Sequence, residues 1–168
     1  MDKIKELKKI LKLKPLFAEG GFFNETYRSE EKIGPMSLPK RYKGARNYST
    51  AIYYLLTKDS FSAIHRITSD EIFHFYLGDP VELLQLNPDG KGKVTILGPD
   101  VFNGMKPQLI VDKNVWQGAR VAKGGKFALL GTTVAPGFDY ADFETGKRGE
   151  LLKDYPKFKE IITALTKA

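Results

Sequence analysis

The sequence contains no cysteine and no long apolar run. The absence of cysteine excludes disulfide bonds, a thiol nucleophile and every cysteine-ligated metal site. No stretch approaches the roughly 20 consecutive apolar residues that a membrane-spanning helix needs. Residues 1–14 are rich in lysine and lack the apolar region of a secretory signal. We therefore do not expect export, and the predicted location is the cytoplasm.

Basic residues are in excess, with 27 against 20 acidic residues, but the excess is confined to the two ends of the chain. Residues 1–14 carry a net charge of +4 and residues 147–168 a net charge of +3, so that residues 15–146 are neutral. Neither end alternates its basic residues with base-stacking aromatics, the arrangement typical of nucleic-acid binding. We expect two solvated helix faces here, and neither a nucleic acid nor a membrane as a partner.

Both ends have the periodicity of a helix. Apolar residues recur at helical spacing within residues 1–14 and again within residues 150–168. Pro15 ends the first helix, because a proline disfavours helical geometry in the residue before it. Each helix has a single apolar stripe, so we expect each to lie on the body of the protein as a lid or brace.

The segment between the helices, residues 15–146, has the pattern of a β-protein. Short runs rich in Tyr, Phe, Ile, Val and Thr alternate with turn residues. The predicted strands are 22–28, 48–57, 60–67, 71–77, 81–87, 93–98, 107–111, 115–121 and 126–135. Nine short strands without helices between them predict an all-β fold, an antiparallel sandwich or barrel, in one domain that spans residues 1–168. The prolines and glycines of residues 33–46 predict a long loop.

Two histidines are present, and strand alternation places one of them, His65, on an apolar face with Ser62 on the opposite face. The same alternation in the next strand places Glu71 on an apolar face. If the two strands form a tight hairpin around Thr68, His65 and Glu71 lie directly opposite each other. Polar groups on an apolar face cost stability unless they pair with each other or bind a ligand.

A third polar residue, Gln117, also lies among apolar neighbours in its strand. Three polar side chains in an apolar lining are typical of a small-molecule pocket, with Phe73 as part of its wall. The alternative is an internal hydrogen-bonded cluster that binds nothing. Alternation places His74 on the opposite face of its strand. Its position there is as consistent with a role in an interface or behind the site as with a role in the pocket.

Two further segments have alternative interpretations. Arg28 could bind an anionic ligand with two hydrogen bonds, or it could form an ion pair with Glu25. We expect the sequence Glu19-Gly20-Gly21 to serve backbone geometry rather than chemistry, since paired glycines adopt conformations that other residues resist.

The block HRITSDEIFHFYLGDPVELLQLNPDG, residues 65–90, resembles the first cupin motif. His65 matches its first histidine, Glu71 its glutamate and Gly78 its glycine at the required spacing. The block VDKNVWQGARV, residues 111–121, resembles a degenerate second cupin motif, with Gln117 at the position of a metal-binding histidine.

Five blocks in order through residues 13–145 resemble one family, the cupin-like family DUF985 or Cupin_5. The blocks are EGGFFNETYRS, NYSTAIYYLL, HRITSDEIFHFYLGDP, VWQGA and VAPGFDYADFE. The resemblance implies a double-stranded β-helix, the cupin jelly-roll barrel, over residues 15–146. It also implies a ligand site inside the barrel and a homodimer. It implies no particular reaction, because none is established for the family.

The chain departs from the general cupin pattern at two metal ligands. Ile67 stands in the position of the second histidine and Gln117 in that of the last, so His65 and Glu71 remain as the good ligands. A catalytic zinc or iron site normally uses three protein ligands. We therefore predict no metal and no cofactor, with a divalent metal at His65, Glu71 and Gln117 as the alternative.

Three functions are compatible with these residues. In the first, a metal-independent pocket abstracts a proton beside a carbonyl, by analogy with the sugar epimerases of the superfamily. His65 is then the base, Glu71 holds its tautomer, and Gln117 donates a hydrogen bond to the substrate oxygen. The second function is a cupin that binds a ligand without chemistry, and the third is a metal-dependent cupin oxygenase or isomerase.

Overall fold

The computed structural model describes residues 2–167, which contain thirteen strands and three α-helices. In chain order the strands are β1 (Lys14–Pro15), β2 (Phe22–Arg28), β3 (Lys32–Ile33), β4 (Arg46–Asn47), β5 (Thr50–Thr57), β6 (Phe61–Ile67), β7 (Asp70–Gly78), β8 (Val81–Leu86), β9 (Gly92–Leu97), β10 (Gln108–Val111), β11 (Trp116–Val121), β12 (Phe127–Ala135) and β13 (Phe143–Thr145). The helices are α1 (Lys3–Ile10), α2 (Arg148–Asp154) and α3 (Lys159–Ala164).

Two antiparallel sheets form the body of the protein. One has the strand order β1-β2-β5-β12-β7-β10, and the other has the order β13-β6-β11-β8-β9. Strands β3 and β4 pair with each other outside these sheets. Apolar side chains from the inner faces of both sheets, such as Tyr54 from β5 and Leu83 from β8, form one core cluster. The predicted all-β, double-stranded β-helix barrel is confirmed.

All nine predicted strands are present, with ends that differ from the prediction by at most two residues. Four strands of two or three residues, β1, β3, β4 and β13, were not predicted, because two or three residues are too few to show alternation. Residues 33–46 form the predicted loop apart from its two ends, which belong to β3 and β4, and one short 3-10 turn.

The predicted hairpin around Thr68 is wrong. Strands β6 and β7 follow each other in the chain but belong to different sheets. In its own sheet His65 is paired with Gln117 and Thr145, whereas Glu71 is paired with Val111 and Val134. The chain passes from one sheet to the other between the two strands, so their side chains meet across the interior instead of along one sheet.

The two ends of the chain differ in how they pack. Helix α1 begins after Asp2, whose side chain accepts from the Ile4 amide, and it ends earlier than predicted, since Lys14 already belongs to β1. Helix α1 contains no buried residue, so it does not pack into the body of the protein as the brace that we expected. No helix within residues 2–167 is long and apolar enough to cross a bilayer.

The predicted helix over residues 150–168 is two helices, α2 and α3, that are separated at Tyr155 and Pro156. Proline disfavours a helical conformation in the residue before it, which explains the interruption. Buried side chains of the two helices pack on Ile64, Leu84 and Leu86 of the five-stranded sheet. The C-terminal helices are therefore the brace of that sheet.

We predict that Ile162→Ala lowers the free energy of unfolding by about 2–5 kcal/mol, because it leaves a cavity beneath α3 where Ile162 is fully buried. The matched control is Ile10→Ala in α1, where the side chain is 65% exposed and the expected change is within about 0.5 kcal/mol. Urea denaturation measures both. Equal losses for the two variants would contradict the different packing of the two ends.

Candidate functional site

A cavity of about 490 Å³ lies inside the barrel. The buried part of its wall contains a polar group of side chains, namely Tyr54, His65, Glu71 and Thr132, with Glu19 partly buried beside them. Its exposed lining residues, which mark the mouth, include charged side chains and an aromatic one: Lys14, Glu25, Arg28, Asp139 and Tyr140. The remaining buried wall is largely apolar.

His65 is 2% exposed and is held by its own strand. Its ring Nδ1 lies 2.8 Å from the carbonyl oxygen of Ala63. Because a carbonyl only accepts hydrogen bonds, the neutral ring carries its proton on Nδ1 and has a lone pair on Nε2. Nε2 lies 3.8 Å from Oε2 of Glu19, a residue of the cavity wall. His65 is therefore oriented as a base.

The main chain, not Glu71, holds the tautomer of His65, which corrects the role that we expected for Glu71. The Glu71 carboxyl is 8% exposed, and its Oε2 accepts a hydrogen bond of 2.7 Å from the amide nitrogen of Gln117. Burial raises the pKa of Glu71 above its ordinary value of 4.5, and the nearby Glu19 carboxylate raises it further against the opposing effects of His65, Thr132 and Gln117. The protonated form of Glu71 is therefore more favoured here than it would be in water.

Gln117 supports Glu71 from behind the cavity wall. It is 1% exposed and is not among the residues that line the cavity, so it does not have the contact with a ligand that we expected. Its amide oxygen is buried without a hydrogen-bond partner among residues 2–167. The structure thus brings His65, Glu71 and Gln117 close together, as predicted. Gln117 contacts Glu71 through a hydrogen bond instead of facing the cavity.

Glu19 is the residue of this site that the sequence analysis missed. Gly20 and Gly21 follow it with positive φ angles of 110° and 69°, and a Cβ at Gly20 would collide with the carbonyl oxygen of Phe61. The glycines do serve backbone geometry, as expected. That geometry brings the turn against β6 and places the Glu19 carboxylate beside His65. The sequence feature that could have identified Glu19 is its position before two glycines, at the start of the block EGGFFNETYRS.

Ser62 is also inside the barrel, although alternation predicted it on the opposite face from His65. The register of β6 against β11 shifts between the pairs Gln117–His65 and Ala119–Ser62, which indicates a bulge in β6. Ser62 is 1% exposed, and its hydroxyl lies 3.5 Å from Oε2 of Glu19. Because the bulge adds one residue to β6, the side chains that precede it point to the opposite face of the sheet from the one that strict alternation predicts.

Phe73 lines the cavity as predicted, and Arg28 stands at the mouth. The Arg28 guanidinium donates two hydrogen bonds to Glu25, of 2.9 and 2.8 Å, and another of 2.9 Å to Asn47. The ion pair with Glu25 is thus the observed arrangement of the two alternatives, and an anionic ligand would have to compete with it.

His74 does not line the cavity. It lies on the outer face of the six-stranded sheet, where its Nε2 is 3.2 Å from the Thr133 hydroxyl and its Nδ1 is 3.3 Å from the Gln108 amide nitrogen. Alternation along β7 places it opposite Glu71 and Phe73, as the sequence indicated. The structure therefore separates His74 from the other predicted site residues.

The donor set does not fit a metal site of the three-ligand kind. Ile67 contributes an apolar wall where a second histidine would stand, and the amide nitrogen of Gln117 points at Glu71. Within residues 2–167, no three His, Cys, Asp or Glu side chains are grouped so that they could hold a metal ion. Transition metals in proteins are generally held by three or more such donors.

We predict that the stability of the protein falls as the pH rises above about 4.5, the ordinary pKa, relative to a Glu71→Gln variant. The folded state holds the Glu71 proton at a pH where the unfolded chain has released it, so raising the pH favours unfolding. Denaturation at a series of pH values measures the difference between the two proteins. Glu30→Gln, a change at an exposed residue, is the control. A Glu71→Gln difference that does not vary with pH would contradict the prediction.

Residues 5–146 match the model of Cupin_5, described as cupin superfamily (DUF985). The uncharacterized protein YML079W of Saccharomyces cerevisiae is 33% identical over 143 residues, which cover 79% of this chain and 69% of that protein.

Two solved structures are similar over nearly their whole length. Protein SO0799 from Shewanella oneidensis is 32% identical, has a TM-score of 0.86, and the match covers 99% of both chains. A hypothetical protein from Leishmania major is 29% identical, with a TM-score of 0.86 and 98% of each chain covered. With its family-model match and its barrel, this chain belongs to the Cupin_5 (DUF985) family of the cupin superfamily.

Proposed function

We propose that this cupin binds a small sugar or carbonyl metabolite in its barrel and catalyses metal-independent proton transfer beside the carbonyl, an isomerase- or epimerase-like reaction. The observation that carries the proposal is the orientation of His65. Its Nδ1 donates to the Ala63 carbonyl, which leaves the lone pair of the neutral ring on Nε2, beside Glu19 in the cavity wall. Histidine titrates near neutral pH and is the commonest general base in proteins.

In the proposed reaction, Nε2 of His65 removes the proton from the carbon next to the carbonyl. The electron pair of that bond moves into the carbonyl and gives an enolate oxygen. The imidazolium that forms lies beside Glu19, whose Oε2 is 3.8 Å from Nε2. A carboxylate at this distance stabilises the positive charge in a poorly hydrated site.

Glu71 has the complementary role in this proposal. As a neutral acid, it donates its proton or a hydrogen bond to the oxygen on which negative charge develops. Gln117 keeps the other side of the carboxyl engaged through the 2.7 Å hydrogen bond to Oε2. In a substrate with a hydroxyl on the carbon beside the carbonyl, His65 then returns the proton to the former carbonyl carbon. Glu71, which has protonated the former carbonyl oxygen, takes the proton of that hydroxyl, so the isomerisation is complete and both groups are restored. Buried apolar walls, such as Phe73 and Val134, limit the access of water.

The chemistry is tested with a panel of aldoses, ketoses and 2-keto acids. Binding is found by thermal shift, because a ligand of the folded state raises the melting temperature. Bound compounds are then incubated in D2O, and deuterium at the carbon beside the carbonyl is measured by NMR. We expect exchange that His65→Gln reduces by about 10²–10⁴-fold.

The matched control is His74→Gln, which alters the other histidine outside the cavity and is expected to leave exchange unchanged. Exchange that survives in His65→Gln would contradict the proposal. Binding without any exchange would favour the cupin that only binds its ligand. Exchange that is lost with EDTA and restored by a divalent metal would favour the metal-dependent alternative.

We also propose that the chain forms a homodimer through the outer face of the six-stranded sheet. Helices α2 and α3 cover the other sheet, whereas this face presents Tyr76 and Ile110, which are 50% and 54% exposed. The Tyr76 ring lies 6.0 Å from that of Tyr53 in an edge-to-face contact and stacks on that of His74 at 6.4 Å, so the three rings form an aromatic cluster on this face. Exposed apolar patches of this kind are typical of interfaces.

We expect Ile110→Asp to convert the dimer into a monomer, because it buries a charge in the proposed interface. Light scattering coupled to gel filtration measures the mass. The control is Val94→Asp on β9 of the five-stranded sheet, where the side chain is 42% exposed and no change is expected. A wild-type protein that is monomeric at micromolar concentration would contradict the proposal, as would an Ile110→Asp variant that stays dimeric.

A further inference from the structure

The end of the chain contacts a turn near its beginning. The ammonium group of Lys167 donates hydrogen bonds of 2.8 Å to the carbonyl oxygen of Phe17 and 3.1 Å to that of Ala18. These two carbonyls directly precede Glu19, the carboxylate beside His65. The contact therefore joins the C-terminal segment to the wall of the cavity.

Four consecutive carbonyl oxygens of this turn, from Phe17 to Gly20, accept hydrogen bonds from three separate parts of the fold. Lys167 binds the first two. The Ala63 amide donates to the Glu19 carbonyl at 2.9 Å, and the Tyr54 hydroxyl donates to the Gly20 carbonyl at 3.0 Å. The main chain on both sides of the Glu19 side chain is thereby held in place.

The bulge in β6 couples this turn to His65. The Ala63 amide binds the Glu19 carbonyl, and the Ala63 carbonyl accepts from Nδ1 of His65 at 2.8 Å. One residue along, the Ile64 amide donates to the Leu165 carbonyl at 2.9 Å. Residues 165–167 thus hold the bulge through Leu165 and the turn through Lys167.

We propose that Lys167 is a positioning residue for the cavity. By binding the carbonyls of Phe17 and Ala18, its ammonium fixes the Glu19 carboxylate against Nε2 of His65. The proposal rests on the proposed function in one respect, namely that the contact between Glu19 and His65 serves catalysis. The geometric effect is independent of any substrate, so it can be measured on the free protein.

The contact is exposed, and exposed single contacts of a lysine contribute little to global stability. The effect of losing it should therefore be local. Without Lys167 the turn keeps the hydrogen bonds from Ala63 and Tyr54. It loses the two hydrogen bonds to the carbonyls of Phe17 and Ala18, which precede Glu19. We expect the Glu19 side chain to sample other positions and the bond between Ala63 and Glu19 to open more often.

The test uses Lys167→Met, which keeps the length of the side chain and removes its donors. The control is Lys153→Met in α2, where the side chain is exposed and forms no hydrogen bond or ion pair with residues 2–167. Because the chain has only two histidines, NMR of the imidazole nitrogens gives one signal set for His65 and one for His74. Hydrogen exchange of the Ala63 amide is recorded on the same samples.

In Lys167→Met we expect shifted His65 signals, unchanged His74 signals and exchange of the Ala63 amide faster by about tenfold, with little change in melting temperature. Lys167→Arg restores N–H donors and a positive charge, and it should restore the wild-type spectrum. Lys153→Met should resemble the wild type.

Unchanged His65 signals and unchanged Ala63 exchange in Lys167→Met would overturn the proposal, as would His65 signals that both Lys167 variants disturb equally. If a substrate is identified, Lys167→Met should lower kcat severalfold more than it changes KM. Absence of any turnover would refute the proposed function and leave the NMR result standing, so the two failures are distinguishable.

Discussion

The burial of ionisable side chains inside an apolar barrel is the constraint on which the site depends. Glu71 has almost no contact with water, and an unpaired carboxylate there would cost several kcal/mol. The Gln117 amide reduces that cost by donating a hydrogen bond to Oε2, and the raised pKa of Glu71 shows that burial still disfavours the charged form. His65 solves the same problem with a main-chain carbonyl, which also determines the tautomer of its ring. A buried carboxyl with a raised pKa and an imidazole held by the main chain, facing one cavity from the two sheets, are thus a consequence of how the barrel accommodates polar groups.

The crossing of the chain between the two sheets gives these groups their spacing. Were β6 and β7 a hairpin, His65 and Glu71 would be neighbours on one sheet with little room between them. Because the strands belong to different sheets, the two side chains line a shared cavity of about 490 Å³. The bulge in β6 adds Ser62 to the interior and provides the amide that holds the Glu19 turn. Topology and one irregular strand therefore form the site together.

Membership in the cupin superfamily defines the barrel but not its chemistry. The general cupin motifs supply metal ligands, and this chain has isoleucine and glutamine at two of those positions. Ile67 lines the cavity with an apolar side chain, and Gln117 donates a hydrogen bond to Glu71 without lining the cavity itself. The carboxylate nearest to Nε2 of His65 comes from a turn that precedes both motifs, at Glu19. The polar groups on which the proposed proton transfer is built are therefore one histidine and two carboxyl side chains that face the cavity.

The sequence by itself determined the nine main strands and the family, since alternation and motif spacing are local properties. It also named His65, Glu71 and Gln117 as polar residues on apolar faces, but the hairpin that was expected to bring His65 and Glu71 together does not form. Parity placed His74 on the opposite face but left a role in the pocket open, and only the structure places His74 outside the cavity lining. Only the tertiary structure decided that β6 and β7 lie in different sheets and that Glu19 joins His65. These features depend on contacts between residues far apart in the chain, and a bulge that reverses parity at Ser62 leaves no periodic signal that a sequence could reveal.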